Sequence, residues 1–315
     1  MHQSLALSAP LVGLDIGGTN LKGVLLAPDG GVLVQHSLPT LRGPEGVVSS
    51  ATQMVDWLLA QEGVSVDKLG GIGVGIPGLV DSATGVINHA VNLGISDEPL
   101  HLAEELTEVY GRPVVVDNDL NVAALGAAFI SPSPDGSVTD LAFLSLGTGV
   151  AGGFVLDGKL RQGYPIAGEI GHIPIDEAGP LCNCGQRGCL ELYSSGSALE
   201  KLWPAEGELP GPAALLRAAQ AGNSRAVELL DGFYLAVAIG VRNLILSLGP
   251  KQVIIGGGVT RLGEPLLVGV RSALDTMAAD SPFLQSLGMS DRVSIIAPGE
   301  PVAAIGAAVL VRDAL

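Results

Sequence analysis

The stretch Leu11-Val12-Gly13-Leu14-Asp15-Ile16-Gly17-Gly18-Thr19-Asn20-Leu21-Lys22-Gly23-Val24-Leu25-Leu26 carries the first decision about the fold. Two apolar runs, Leu11 to Ile16 and Leu21 to Leu26, flank a Gly-Gly-Thr-Asn turn, the pattern of a β-hairpin with a glycine-bearing connection. The pattern returns further along the chain. Leu141 to Leu146 reads as a strand, Gly147-Thr148-Gly149 as a turn and Val150 to Leu156 as a second strand.

Between and after these hairpins the spacing changes. A third strand is expected at Gly31 to Gln35, and apolar positions from Gly46 to Gln61 recur at helical intervals. Strand Leu69 to Ile76 ends in Pro77-Gly78, and a helix over Leu100 to Tyr110 stops at Gly111. Strand Pro113 to Val116 runs into Asp117-Asn118-Asp119, and alanine-rich Leu120 to Ile130 is helical. Beyond the second hairpin, Gly163 to Ser197 is irregular, with helices at Pro212 to Leu230 and Phe233 to Leu248. Strand Gln252 to Ile255 meets Gly256-Gly257-Gly258, and strand Val293 to Ala297 precedes helix Val302 to Ala314. Hairpins, strands and helices in both halves predict an α/β protein of two lobes with a cleft between them. The boundaries are set at 1–118 plus 299–315 for a smaller lobe, which takes back the terminal helix, and 119–298 for a larger one carrying the Cys/His loop.

Bulk properties exclude several classes. With 315 residues, 47% of them hydrophobic and 15% charged, the chain has enough apolar material to bury a core. A formal charge of −16 with 16 basic residues in no run argues against a nucleic-acid surface. Leu141 to Leu156 is free of charge but short and interrupted by glycines, so no membrane span is expected there. Met1 to Pro10 has neither a basic flank nor a long apolar segment, so no secretory signal is expected and the cytoplasm is the default compartment.

The three cysteines lie between Cys182 and Cys189. An odd, clustered set suits a metal better than a disulfide framework. The run Glu169-Ile170-Gly171-His172 followed by Cys182-Asn183-Cys184-Gly185-Gln186-Arg187-Gly188-Cys189-Leu190-Glu191 offers three thiolates and one imidazole. That is the tetrahedral set zinc takes in closed, structural sites. Gly185 and Gly188 would permit the turns that bring Cys184 and Cys189 to one ion. Glu169 and Glu191 are not needed as ligands and are left to hydrogen-bond a polyol, or else to face solvent.

The other motifs are individually less specific. Gly17-Gly18-Thr19-Asn20 and Gly147-Thr148-Gly149 could cradle phosphates on backbone amides, with Asp15 holding Mg²⁺ through water, although each alone is equally a plain turn. The first lacks the Gly-Lys-Ser/Thr of a Walker loop. Gly256-Gly257-Gly258 would let a base or ribose lie on bare backbone, or is simply a loop. Asn118-Asp119 sits where a strand's carboxyl end meets a helix, the place where clefts form in open α/β sheets. Asp119 could accept a hydroxyl proton while Asn118 orients that hydroxyl. Either could instead cap the helix, as could Asp117 or Asn121.

Taken together these residues resemble the ROK family (repressors, open reading frames, kinases), nearest its bacterial glucokinase and N-acetylhexosamine kinase branch, over nearly the whole chain from Leu14. The resemblance rests on Glu-x-Gly-His and Cys-x-Cys-Gly-x-x-Gly-Cys-x-Glu. It implies a two-lobed, actin-like (ribonuclease-H-like) ATPase fold with its active site in the interlobe cleft. It implies ATP phosphates at Gly17, Gly18, Thr19, Asn20, Gly147, Thr148 and Gly149, with Asp15 on the Mg²⁺ side and adenosine near Gly256, Gly257 and Gly258. Asp119 becomes the catalytic base, and Asn118, Glu169, His172 and Glu191 become sugar ligands, with Pro77, Gly78 and Asn92 lining the pocket. Structural Zn²⁺ falls to His172, Cys182, Cys184 and Cys189. The implied reaction moves the γ-phosphate of ATP onto a hexose, glucose first, with N-acetylmannosamine, N-acetylglucosamine or fructose as alternatives. A homodimer or homotetramer is implied as well. Ala151 and Ala127 depart from the family's usual glycine and acidic residue at those places. A repressor of the same family would carry a helix-turn-helix domain before the first glycine turn, where Asp15 leaves no room, and a sugar-binding protein with dead chemistry would not need Asp15, Asp119 and both turns.

Overall fold

The computed structural model describes residues 9–96, 98–131, 140–163 and 167–315; residues 1–8, read above for a signal segment, lie outside them. Contacts divide the chain into two compact units. The first comprises Met1–Val138, Leu160–Gln162 and Pro301–Leu315, and the second Thr139–Lys159 and Gly163–Glu300.

In the first unit the opening stretch forms the expected hairpin, β1 (Leu11–Ile16) and β2 (Asn20–Leu26), and β3 (Val32–Pro39) continues it. Then come α1 (Pro44–Glu62), β4 (Gly71–Ile76), the short pair β5 (Leu79–Asp81) and β6 (Val86–His89), α2 (Leu102–Tyr110), β7 (Val114–Asn118) and α3 (Asp119–Ile130). The main sheet has the order β3-β2-β1-β4-β7. Its first three strands are antiparallel neighbours, while β1/β4 and β4/β7 run parallel. Leu14, Ile16, Leu21 and Leu25 are fully buried, each contributing roughly 1.5–3 kcal/mol of transfer free energy.

The second unit repeats the scheme. Its sheet, built from β8 (Leu141–Leu146), β9 (Val150–Leu156), β10 (Lys159–Leu160), β11 (Gln252–Gly256) and β12 (Val293–Ile295), has the order β10-β9-β8-β11-β12. Here too the hairpin β8/β9 is antiparallel and β8/β11 and β11/β12 are parallel. The helices are α4 (Glu191–Ser194), α5 (Gly196–Leu202), α6 (Gly211–Gln220), α7 (Ser224–Leu248), α8 (Glu264–Ala278) and α9 (Pro282–Ser286). Each sheet therefore puts an antiparallel hairpin beside parallel strands, so both glycine turns follow a central strand.

Two expectations shift. The helix break falls at residues 221–223, not at Asp231-Gly232: Asn223 caps α7 by accepting from the Ala226 N–H at 3.1 Å, and the helix runs on through Gly232. Within α7, Phe233, Ala236, Val237 and Ala238 are buried core, and Leu235 is exposed. The contact boundary falls after Val138 and not between Asn118 and Asp119, because α3 packs on α10 (Val302–Ala314) so closely that a Cβ at Gly126 would strike the Val302 carbonyl and one at Gly306 the Val122 carbonyl. The terminal helix does return to the first unit. Among the described residues α7 alone is long and apolar enough to cross a membrane, but 56% of its most apolar window is buried in protein, as in a core helix.

Candidate active site and metal centre

In the first unit β7 delivers Asp117, Asn118 and Asp119 to the start of α3. Asn118 is the cap: its Oδ1 accepts from the Leu120 N–H at 3.0 Å, and the Asp119 carboxylate accepts from the same N–H at 3.0 Å. The Asn118 amide also donates to the Gly78 carbonyl at 3.4 Å, which joins it to the Pro77-Gly78 turn. Capping and hydroxyl orientation are thus not exclusive, since cap and outward donor use different atoms. Asp117 and Asn121, the rival caps, instead pair with each other, Asn121 donating to Asp117 at 2.7 Å.

Asp15 stands one residue before the end of β1 on the same sheet. Burial pushes its carboxyl up to about 6, the Asp119 charge adds to the rise, and Lys22 opposes it. Lys22 is the cross-strand partner of Asp15 in the hairpin register and was not singled out from sequence, although counting back across the turn pairs the two. The Gly17 N–H is bonded to the Asn20 carbonyl at 3.0 Å, and a side chain at Gly18 would press on Asn92, so Asn92 lies against the first glycine turn.

The second unit holds the other residues. A Cβ on Gly149 would run into the Glu191 carboxylate, whose Oε2 accepts the Val150 N–H at 2.9 Å. The Gly147 carbonyl accepts from Gly196 N–H at 2.8 Å, so Gly147 to Gly149 is braced on both sides. Of the three later glycines, a side chain at Gly256 would strike the Phe143 ring and one at Gly257, whose φ is 86°, would approach the Leu146 carbonyl to 2.5 Å. Those two are required by the neighbouring strand, and Gly258 alone faces open space.

The Cys/His cluster forms as its spacing predicts. One donor atom each from His172, Cys182, Cys184 and Cys189 lies within 4.8 Å of the others. The Cys184 and Cys189 sulfurs are 3.6 Å apart, and the Cys182 sulfur is 3.7 Å from His172 Nδ1. With Zn–S near 2.3 Å, a tetrahedral edge measures about 3.8 Å, so the four donors fit one zinc ion. Backbone bonds from Cys182 N–H to the Gln186 carbonyl at 2.8 Å and from Ile175 N–H to Gly188 at 2.8 Å hold the loop, and both Gly185 (φ 90°) and Gly188 (φ 64°) take left-handed turns. The Gln186 backbone lowers the Cys184 thiol, whereas burial raises that of Cys189. His172 Nε2 stands 3.7 Å from a Glu169 carboxylate oxygen, so the ring offers one nitrogen to the thiols and the other towards Glu169.

The sequence model of the ROK family matches residues 11–314. The chain belongs to the ROK family. A glucokinase of Halalkalibacterium halodurans is 34% identical over 85% of this chain and 86% of its own length. An N-acetylmannosamine kinase of Vibrio vulnificus is 34% identical over 84% of this chain and 88% of its own. Among solved structures, a ROK glucokinase of Streptomyces griseus in complex with glucose and AMPPNP superposes with a TM-score of 0.74 at 28% identity, covering 96% of this chain and 99% of that one. The ROK fold of this chain is accordingly the α/β, two-lobed actin-like ATPase fold, whose repeated sheet is the strand order described above.

Proposed function

We propose that this chain phosphorylates glucose at the carbon-6 hydroxyl, and that the residues named above do so in the roles their family resemblance implies. The broader activity is that of an ATP-dependent hexose kinase, as ROK membership, the glucokinase relative and the glucose- and AMPPNP-bound neighbour together establish. The observation that supports the mechanism is the Asn118–Asp119 pair: one residue caps α3 and keeps an amide donor turned to Gly78, and the other keeps a carboxylate at the carboxyl end of β7.

In this reading Asp119 accepts the proton of the sugar hydroxyl as that oxygen attacks the γ-phosphorus in line and ADP leaves. Asn118, Glu169, His172 and Glu191 hold sugar hydroxyls, with Pro77, Gly78 and Asn92 beside them. Amides of Gly17 to Asn20 and Gly147 to Gly149 hold the phosphates, and adenosine lies near Gly256, Gly257 and Gly258, the last of which faces open space. Mg²⁺, held through water by Asp15, would neutralise phosphate charge. His172, Cys182, Cys184 and Cys189 would hold a structural Zn²⁺, which would order the loop and fix the His172 ring. The enzyme would work in the cytoplasm in the first step of glucose use, as a homodimer or homotetramer.

The N-acetylmannosamine kinase relative keeps acetamido-hexoses as the second reading, since discrimination at the sugar's second carbon rests on pocket shape. Steady-state ADP release with glucose, fructose, N-acetylglucosamine and N-acetylmannosamine tests the choice. Glucose should show the highest kcat/KM. A higher value for N-acetylmannosamine would replace glucose as the substrate.

A further inference from the structure

Asp117, next to the end of β7, is 2% exposed. Its carboxylate is held by three neutral donors. One oxygen accepts the Asn118 N–H at 2.7 Å and the Asn121 amide at 2.7 Å, and the other accepts the Gln162 amide at 2.5 Å. A carboxylate at this depth is tolerated only while its oxygens are bonded. Two of the donors are close in sequence, the N-cap residue Asn118 and Asn121 in the first turn of α3. The third comes from 45 residues away.

Gln162 is an unusual source for it. The segment Leu160–Gln162 packs with the first unit although the chain on either side belongs to the second. The residue is exposed, and only its amide reaches inward. A surface side chain that reaches in to a buried carboxylate fixes the strand end carrying that carboxylate. Here the strand end is the one bearing Asn118, whose N–H bonds the same carboxylate, and Asp119 follows directly. Seven residues after Gln162 comes Glu169. The three bonds to Asp117 involve none of Gly17 to Asn20 or Gly147 to Gly149.

We infer that Gln162 is a positioning residue for the sugar site: its amide holds Asp117, and through the Asp117–Asn118 bond it sets the strand end from which Asn118 and Asp119 act. The inference rests on the kinase reading above for its functional consequence and on the Asp117 geometry for its cause.

The test is a polarity swap. Gln162→Ala removes the donor, and Gln162→Glu sets one carboxylate against another. The double variant Asp117→Asn with Gln162→Glu restores the bond in the opposite direction, the amide now at position 117 and the acceptor at 162, while the carbonyl at 117 still accepts from Asn118 and Asn121. Both single variants should lose about tenfold in kcat/KM for the hexose with KM for ATP unchanged, and the double variant should recover to within about threefold of the parent. Hydrogen exchange at the Asn118 N–H should quicken in the singles and slow again in the double. Full hexose kcat/KM in the singles, a loss that the swap does not reverse, or an equal rise in the ATP KM would overturn the inference. Should the parent phosphorylate no hexose, the kinase reading fails, and the exchange rates still decide whether Gln162 orders this strand end.

Discussion

The Glu191 carboxylate accepts the Val150 backbone N–H at 2.9 Å in the space that a side chain at Gly149 would need. The acid closing the cysteine motif is therefore bonded to the hairpin strand that follows the second glycine turn. One carboxylate oxygen serves that turn, and in the proposed reading the other takes a sugar hydroxyl.

Two substitutions separate these duties. Glu191→Gln keeps an oxygen that can accept from Val150, so the fold should be preserved while hexose KM rises. Gly149→Ala should displace the carboxylate altogether, with a loss of about 1–3 kcal/mol from the unpaired backbone group and a fall in activity on both substrates. Thermal melts and kinetics of the two variants check this; equal behaviour would break the link between turn and acid.

Replacing Asp119 with Asn keeps the size of the side chain and removes the base. Turnover should fall by about 10²–10⁴-fold while ATP still binds, as read by calorimetry with a non-hydrolysable analogue. Near-parental turnover would remove Asp119 from the role.

Elemental analysis should find one zinc per chain. Chelation should lower the melting temperature and weaken hexose binding more than ATP binding, because the ordered loop carries Glu169, His172 and Glu191. Cys184→Ser, at the exposed ligand, should reproduce the effect in part. A metal-free chain with full hexose affinity would refute the structural role.

Asp15 predicts a pH dependence. Burial, with the Asp119 charge beside it, pushes the Asp15 carboxyl up to about 6 from its ordinary value of 3.8, so the folded state binds more protons than the unfolded one between these values. Stability from this group is therefore highest below about pH 4 and falls as pH rises through about 6. Asp15→Asn should stabilise the ligand-free protein at pH 7, by an amount on the order of 2 kcal/mol, and give no gain near pH 4. Melting curves of parent and variant across that range check the sign. Mg²⁺ with ATP should protect the parent more than the variant.

Local chemistry was the legible part of this sequence. The hairpins were readable because apolar runs stop at glycines, and the cysteine centre because its spacing fits one ion without help from the rest of the fold. The strand over 31–35 runs on to Pro39 because β3 needs only alternate partners along β2, not an unbroken apolar run. The break placed at Asp231-Gly232 was wrong because nothing crowds Gly232 and a single glycine costs a long helix only about 1 kcal/mol, whereas the Asn223 cap was the real signal. The bond from Gln162 to Asp117 was beyond sequence reading, because no periodicity relates residues 45 positions apart.

The return of α10 to the first unit orders the birth of the protein. As the chain leaves the ribosome, the second unit has all its residues once Glu300 has emerged, whereas the sheet begun by Leu11 must wait for Val302 to Ala314 to cover it. The strands of the first unit are thus synthesised before the second unit and sealed after it, and the half-built first unit is a nascent species with exposed apolar surface.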